Sequence, residues 1–337
     1  MHVPDGFLDV PTSIATTAVA LGALGLCVRR VEREIAVTGP ALPGMTAAFI
    51  FAAQMVNFPV GAGTSGHLLG GTLAAALVGP WTAVVCVSVV LIVQALLFAD
   101  GGLTALGTNV TLMALIGVLV GWAMMRGLLR VLPRRSASAV PAAAAGALVS
   151  VPVAALAFTG LYAIGGAVDV PLPTLALAMT GWHVVIGVGE AVITAAVLSA
   201  VLATRPDLVH AARGLLPDLA LRDAAGAERP VASDDAAPAA PARRPLVTAG
   251  LVTLLVAGVV SLAASAHPDG LEFVAGALGF GDAARDSLAA AGPLADYAVA
   301  GVANASLAGG LAGVVGVAVT AVLGFALLRV MALRRNR

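Results

Sequence analysis

The chain has no lysine; all 18 of its basic residues are arginine. A phosphate-binding P-loop places a lysine after its glycines, so no nucleotide site of that kind exists here. Charge of either sign is scarce, at 11% of residues, and the net charge is zero, which offers no basic surface to nucleic acid. The two cysteines, Cys27 and Cys86, sit in apolar runs with no CxxC pair. That excludes a disulfide framework and a cysteine zinc site, and leaves inert core thiols. The start lacks the positive n-region of a signal peptide. His2 is too bulky for efficient removal of the initiator, so the expected mature chain begins Met1-His2.

What remains is apolar: 60% hydrophobic residues and a mean hydropathy of +1.01. Apolar segments fall at 12–31, 44–57, 66–79, 81–99, 104–131, 138–167, 179–203, 246–266 and 298–331. Several exceed the roughly 20 residues that carry a helix across a bilayer. The runs are continuous rather than alternating, which argues against a β-barrel. The predicted class is an all-α polytopic membrane protein embedded in a lipid bilayer. Segments 44–57 and 66–79 are short, and read either as short spans or as a re-entrant pair. With the amino terminus placed outside, every arginine except Arg285 falls on the cytoplasmic side. That orientation puts His2 on the extracytoplasmic side and the carboxyl terminus inside.

Residues 205–245 are polar and rich in Pro and Ala, and read as a cytoplasmic linker with a short amphipathic helix near 207–222. The linker divides the chain into a seven-segment domain, 1–204, and a two-segment module, 246–337.

Two stretches carry chemistry. MHVPDGFL puts a histidine beside the terminal amine, and FAAQMVNFPVGAGTSGHLLGG (51–71) bends through glycines to His67 on the same face. Taken alone, His67 reads more readily as a hydrogen-bonded structural residue than as a ligand. The terminus adds another reading. The Met1 amine, the deprotonated His2 amide and the His2 imidazole form fused chelate rings, and His67 closes a planar four-nitrogen set. Such a set suits Ni(II) or Cu(II) better than tetrahedral Zn(II). Gln54, Asn57, Thr64, Ser65 and Asn109 are polar groups placed to support that loop, or equally to join helices. His183 and Glu190, seven apart, share a helix face; Glu190 lies mid-span, and its expected role is structural or coupling. It is expected to lie too far from His2 to be a ligand. After His267, the carboxylates Asp269, Glu272, Asp282, Asp286 and Asp296 make the loop between the last two segments acidic, a cation-attracting or simply solvated loop.

MHVPDGFL, GTSGHLLGG (63–71) and WHVVIGVGEAVIT (182–194) together resemble the CbiM/NikM family, over residues 1–204. HPDGLEFVA (267–275) resembles the PDGLE module of NikN, so the whole chain resembles the fused NikMN arrangement. The family comprises substrate-capture (S) components of energy-coupling factor transporters for nickel and cobalt. The resemblance implies a metal held by the Met1 amine, the His2 amide and imidazole and the His67 imidazole. At Val3 and Asp9 the chain departs from the more usual Ile and Ser, neither of them an implied ligand. It also implies a bacterial or archaeal cell membrane, a transmembrane coupling subunit and separate ATPase subunits as partners. No cofactor is implied beyond the transported ion. Nickel is favoured by the four-nitrogen plane and the fusion, with cobalt the alternative. Ala18 and Gly22 offer small-residue spacing for the coupling subunit. Two other readings compete: a membrane metalloenzyme using Glu190 and His183, and a carrier coupled to protons or sodium without ATPases.

Overall fold

The computed structural model describes residues 1–215, 220–222, 228–230 and 243–334. Among the described residues, seven helices are long and apolar enough to cross a membrane. Five belong to the first 204 residues: α1 (Val10–Thr38), α4 (Pro80–Leu97), α5 (Leu106–Leu129), α6 (Ala139–Gly165) and α7 (Leu172–Thr204). Between α1 and α4 lie two shorter helices, α2 (Ala41–Gln54) and α3 (Gly71–Val78). The later module supplies α8 (Arg243–Gly258), a short α9 (Gly270–Leu278) and α10 (Ala305–Arg334). Seven helices followed by two spans is the predicted all-α membrane architecture.

The bundle has two ends. One gathers the arginine-bearing helix termini; the other carries the chain start. At the arginine end the Glu34 carboxylate accepts from Thr82 N (2.7 Å) and Trp81 N (3.3 Å), capping α4 where Pro80 can donate nothing. Arg30 stacks 4.3 Å over the Trp81 ring. From this end α2 climbs and α3 descends, at 14 and 8 residues. At 1.5 Å per residue they cover only about 21 and 12 Å. The turn between them is therefore sunk into the bundle rather than laid across its surface. His67 precedes α3 by four residues instead of opening it.

That turn is a small hairpin, which the glycine spacing did not specify. β1 (Phe58–Gly61) pairs antiparallel with β2 (Thr64–Gly66). The connecting Ala62-Gly63 has both φ values positive, 47° and 78°, the geometry that matches strand twist in two-residue hairpins.

Lipid tails do not drive apolar helices together, so close packing has to. A Cβ on Gly187 would stand 2.8 Å from Leu148 O, so only glycine lets α6 and α7 approach this closely. The Pro80–Leu97 helix is 78% buried and central, whereas Arg244–Ala263 is largely exposed on the outside of the bundle.

Past α7, two 3-10 turns, Pro206–Leu208 and His210–Leu215, stand where the amphipathic helix was expected. Pro206 and Gly214 interrupt any continuous helix there. Residues 216–219 of that expected helix fall outside the described residues. Ala220–Arg222 pairs antiparallel with Glu228–Pro230.

Candidate metal centre

The chain start is inside the protein. Met1, His2 and Val3 keep only 3%, 9% and 0% of their surface exposed. Backbone bonds stitch this segment in place: Gly102 N donates to Val3 O (2.9 Å), Arg285 N to Asp5 O (2.8 Å) and Ala167 N to Phe7 O (3.0 Å). Asn109 completes the seat, accepting from Val3 N (2.7 Å) and donating to Val3 O (3.0 Å). The Asp5 carboxylate accepts from Thr104 N (2.8 Å) and Leu103 N (3.1 Å), tying the Pro-Asp-Gly turn to the start of α5.

Asn109→Ala removes both bonds to Val3. At about 1 kcal/mol each, docking of the terminus is expected to weaken by roughly 2 kcal/mol and Ni(II) affinity to fall by about 10–30-fold. Calorimetric titration beside a thermal melt checks this, since the helices themselves should melt almost unchanged.

The seating brings the terminal amine to His67. Met1 N is hydrogen-bonded to His67 Nε2 and lies 2.8 Å from Asp269 Oδ2. His67 Nδ1 faces Leu68 O at 3.0 Å, so the proton belongs on Nδ1 and the Nε2 lone pair faces the amine. The His2 ring stacks on His67, with centroids 4.9 Å apart and planes 16° from parallel. His2 Nδ1 is 3.1 Å from Asp100 Oδ1, and Nε2 is 3.2 Å from the Gln94 side-chain amide.

Burial lowers the His2 imidazole to about 4, against the opposing pull of Asp100 and with help from His67 and the amine. The ring is therefore neutral at pH 7 and available as a donor. Free imidazole titrates near 6.5. Below that value an undocked terminus binds a proton that the docked one refuses, so docking weakens as pH falls from 6.5 to 4. The full loss is roughly 3 kcal/mol. Amine-selective labelling of Met1 in metal-free protein, taken at each pH relative to the labelling of a free model peptide, should rise as pH falls through that window and stay flat above it.

Asp269 comes from the distant loop between α8 and α10. That loop is docked: Ser65 N donates to Pro268 O (2.8 Å), Ser65 Oγ to His267 O (2.7 Å) and Ser265 N to Asn57 O (2.8 Å). Asp269 caps α9, accepting from Leu271 N and Glu272 N, while Glu272 returns a bond to Asp269 N. Burial alone would raise the Asp269 carboxyl, but the Met1 ammonium and His67 hold it well below its usual range. Glu272 moves the other way, raised by burial and by Asp269.

A pocket of about 260 Å³ opens above the stacked imidazoles, reaching Gln54, Asp100, Asp269 and Tyr297. Tyr297 Oη donates to Asp100 Oδ2 (2.6 Å), and its ring stacks on Phe98 at 4.8 Å. Burial and then Asp100 hold this phenol well above its ordinary value, so it stays a donor. Asp296 and Tyr297 have φ of 53° and 54°, and Ala99 has 56°. Strained backbone on both sides of one pocket is the kind that functional sites retain.

The anticipated supporting residues divide in two. Asn109 and Gln54 brace the site, the latter by donating to Leu69 O (2.9 Å), while Ser65 and Asn57 instead hold the distant loop. Thr64 Oγ1 is buried without a partner among the described residues. Glu190 does not pair with His183. Its carboxylate accepts from Leu69 N (2.6 Å) and Gly70 N (2.9 Å), directly after His67. Glu190 thus holds the turn that carries His67, because the 64–70 turn dips to meet α7. His183 Nδ1 instead faces Met179 O at 2.8 Å. Asp5, Gln94, Asp100 and Tyr297 escaped the sequence reading. Gln94 had a usable signal, an amide inside an apolar run like Gln54, since such a group must find a partner.

Among the described residues no three His, Cys, Asp or Glu side chains converge as a metal-holding group.

A polar, nitrogen-lined pocket sunk into one end of a bundle of membrane-crossing helices has the form of a membrane transport component. The profile of the CbiM family, described as the cobalt uptake substrate-specific transmembrane region, matches residues 2–208, and the PDGLE domain matches residues 243–333. The chain belongs to the CbiM family, with a PDGLE domain following, and is a multi-pass membrane protein rather than an enzyme. It is 31% identical to the fused nickel transport protein NikMN of Rhodobacter capsulatus, over 94% of each chain. It is 38% identical to a putative fused nickel transport protein NikMN of Archaeoglobus fulgidus, over 62% of this chain and 68% of that one. A crystal structure of a truncated transition metal transporter superposes with a TM-score of 0.53 at 32% identity, covering 60% of this chain and 99% of that one.

Proposed function

We propose that this chain is the substrate-capture subunit of an ATP-driven energy-coupling factor importer, taking Ni(II) from the extracytoplasmic side. The ligands are the Met1 amine, the His2 amide and imidazole and the His67 imidazole, in one plane. The observation that carries the reading is the buried terminus, with Met1 N hydrogen-bonded to His67 Nε2 across 66 positions of sequence. A terminal ammonium is costly to bury, and its Asp269 partner does not remove that cost. A metal ligand is a reason to bury it.

Capture is a set of exchanges. Met1 and the His2 amide release their protons to solvent, and the His2 ring shifts its proton from Nδ1 to Nε2, where Gln94 Oε1 accepts it, so that Nδ1 leaves Asp100 for the ion. His67 already presents a bare Nε2, oriented by the Leu68 carbonyl. Asp269 leaves the amine, so the PDGLE loop responds to loading.

Between metals, planar nitrogen coordination and the order of affinities favour Ni(II) over Co(II). The relatives are divided: the Rhodobacter protein is named for nickel, and a Geobacter sulfurreducens relative is a cobalt transport protein. Energy comes from separate ATPase subunits through a transmembrane coupling subunit. Arginine-bearing helix ends face the cytoplasm.

The test is radioactive ⁶³Ni uptake by cells carrying this chain with and without its coupling and ATPase subunits, with His67→Ala as control. Uptake that requires the partners and is lost in His67→Ala supports the assignment. Uptake by the chain alone would make it an ion-coupled carrier.

A further inference from the structure

His183 has no part in the chelate. It is fully buried on α7, and with its Nδ1 proton directed at Met179 O its Nε2 presents a bare lone pair. Among the described residues that Nε2 has no hydrogen-bond partner. An unpaired buried acceptor is costly to keep, a cost that an apolar side chain of similar size avoids. A purely structural histidine has no reason to bear it.

The lone pair is aimed. His183 lines a crevice with Met1, His67, Asp269 and Gly270 that is too narrow to admit a water molecule. A Cβ built on Gly270 would lie 3.2 Å from His183 Cε1 and 3.5 Å from Nε2, so this edge of the ring faces the Pro-Asp-Gly turn. The neighbouring Asp269 has Oδ2 2.8 Å from Met1 N. An imidazole nitrogen, a carboxylate oxygen and the terminal amine thus border one dry crevice at the side of the His2–His67 stack. A bare first-row divalent cation is smaller than water, and both imidazole and carboxylate suit it.

We infer that His183 Nε2 is a metal donor and that, with Asp269, it forms a transfer position beside the Met1 amine through which the ion enters the amino-terminal chelate. This rests on the capture reading. The ion accepts lone pairs from Nε2 and a carboxylate oxygen, then exchanges both for the nitrogens of Met1 and His2. Nδ1 keeps its proton on Met179 O throughout, and no redox change is involved.

Stopped-flow mixing of Ni(II) with the full chain in detergent, beside equilibrium titration, tests it. His183→Gln should slow loading at least tenfold while the dissociation constant stays within threefold. Gly270→Ala retains the imidazole but fills the crevice, with its Cβ placed 2.7 Å from Ile186 Cδ1. It should slow loading as well. Wild-type loading in His183→Gln overturns the inference. So does a loss of rate matched by an equal loss of affinity and a lowered melting temperature, which marks a structural histidine. Failure of the capture reading shows elsewhere, as wild-type protein without a tight Ni(II) site.

Discussion

One residue added ahead of Met1 should abolish tight Ni(II) binding and leave the helical bundle intact. The addition converts the Met1 amine into an amide and moves His2 to the third position, so the fused chelate rings cannot close. Four-ligand structural zinc sites provide a scale, at about 10–16 kcal/mol of apparent binding energy, or roughly 2.5–4 kcal/mol per donor. Loss of the amine together with the adjoining ring should weaken affinity by about three orders of magnitude or more. The terminus is 3% exposed and packed against Asp269, so the added residue must also displace the 267–272 loop. A protease-removable extension separates chemistry from bulk, because cleavage back to Met1 should restore binding in the same preparation. Equal affinity for both forms would mean that the amine is not a ligand. The buried Met1–His67 contact would then be a structural latch.

Glu190→Gln should produce the second-largest effect. Both carboxylate oxygens accept backbone N–H bonds, from Leu69 and Gly70, at 2.6 and 2.9 Å. Bonds to a charged acceptor are roughly twice as strong as neutral ones. A glutamine keeps one acceptor and turns an NH2 group toward the other N–H, leaving a buried donor unpaired at about 1–3 kcal/mol. The disturbed turn is the one that carries His67. Removing the groups that orient metal ligands typically costs 10–100-fold in affinity, and a loss in that range is expected here by Ni(II) titration. A melting temperature that falls while affinity holds would reduce Glu190 to a fold-holding residue. Loss of a carboxylate from the metal's X-ray absorption spectrum on substitution would instead make it a ligand.

The two predictions differ in how far sequence could reach them. His2 beside a free amine is legible at once, because chelate-ring geometry is covalent and local. Glu190 is conspicuous as a carboxylate in an apolar run, yet its partners are not: His183 was the natural candidate, seven residues away on the same face. The structure pairs Glu190 with backbone 120 positions earlier and gives His183 to its own helix. Gln94 and Asp100 show the same limit. Each bears a polar group at the end of an apolar helix, and nothing nearby says that the His2 ring will lie between them.

The sequence alone determined the membrane class, the seven-plus-two arrangement of helices and the likeness to a metal-capture family. Hydropathy is a sum over neighbours, a bilayer imposes one span length, and a motif is read from adjacent residues. Only the tertiary structure decided that Met1 lies against His67 and that Asp269 of the second module faces both. A buried polar group must find a partner, and its sequence announces that need. Which partner answers depends on how deeply the 64–70 turn sinks and how the second module folds back, and both are set by packing between residues far apart in the chain.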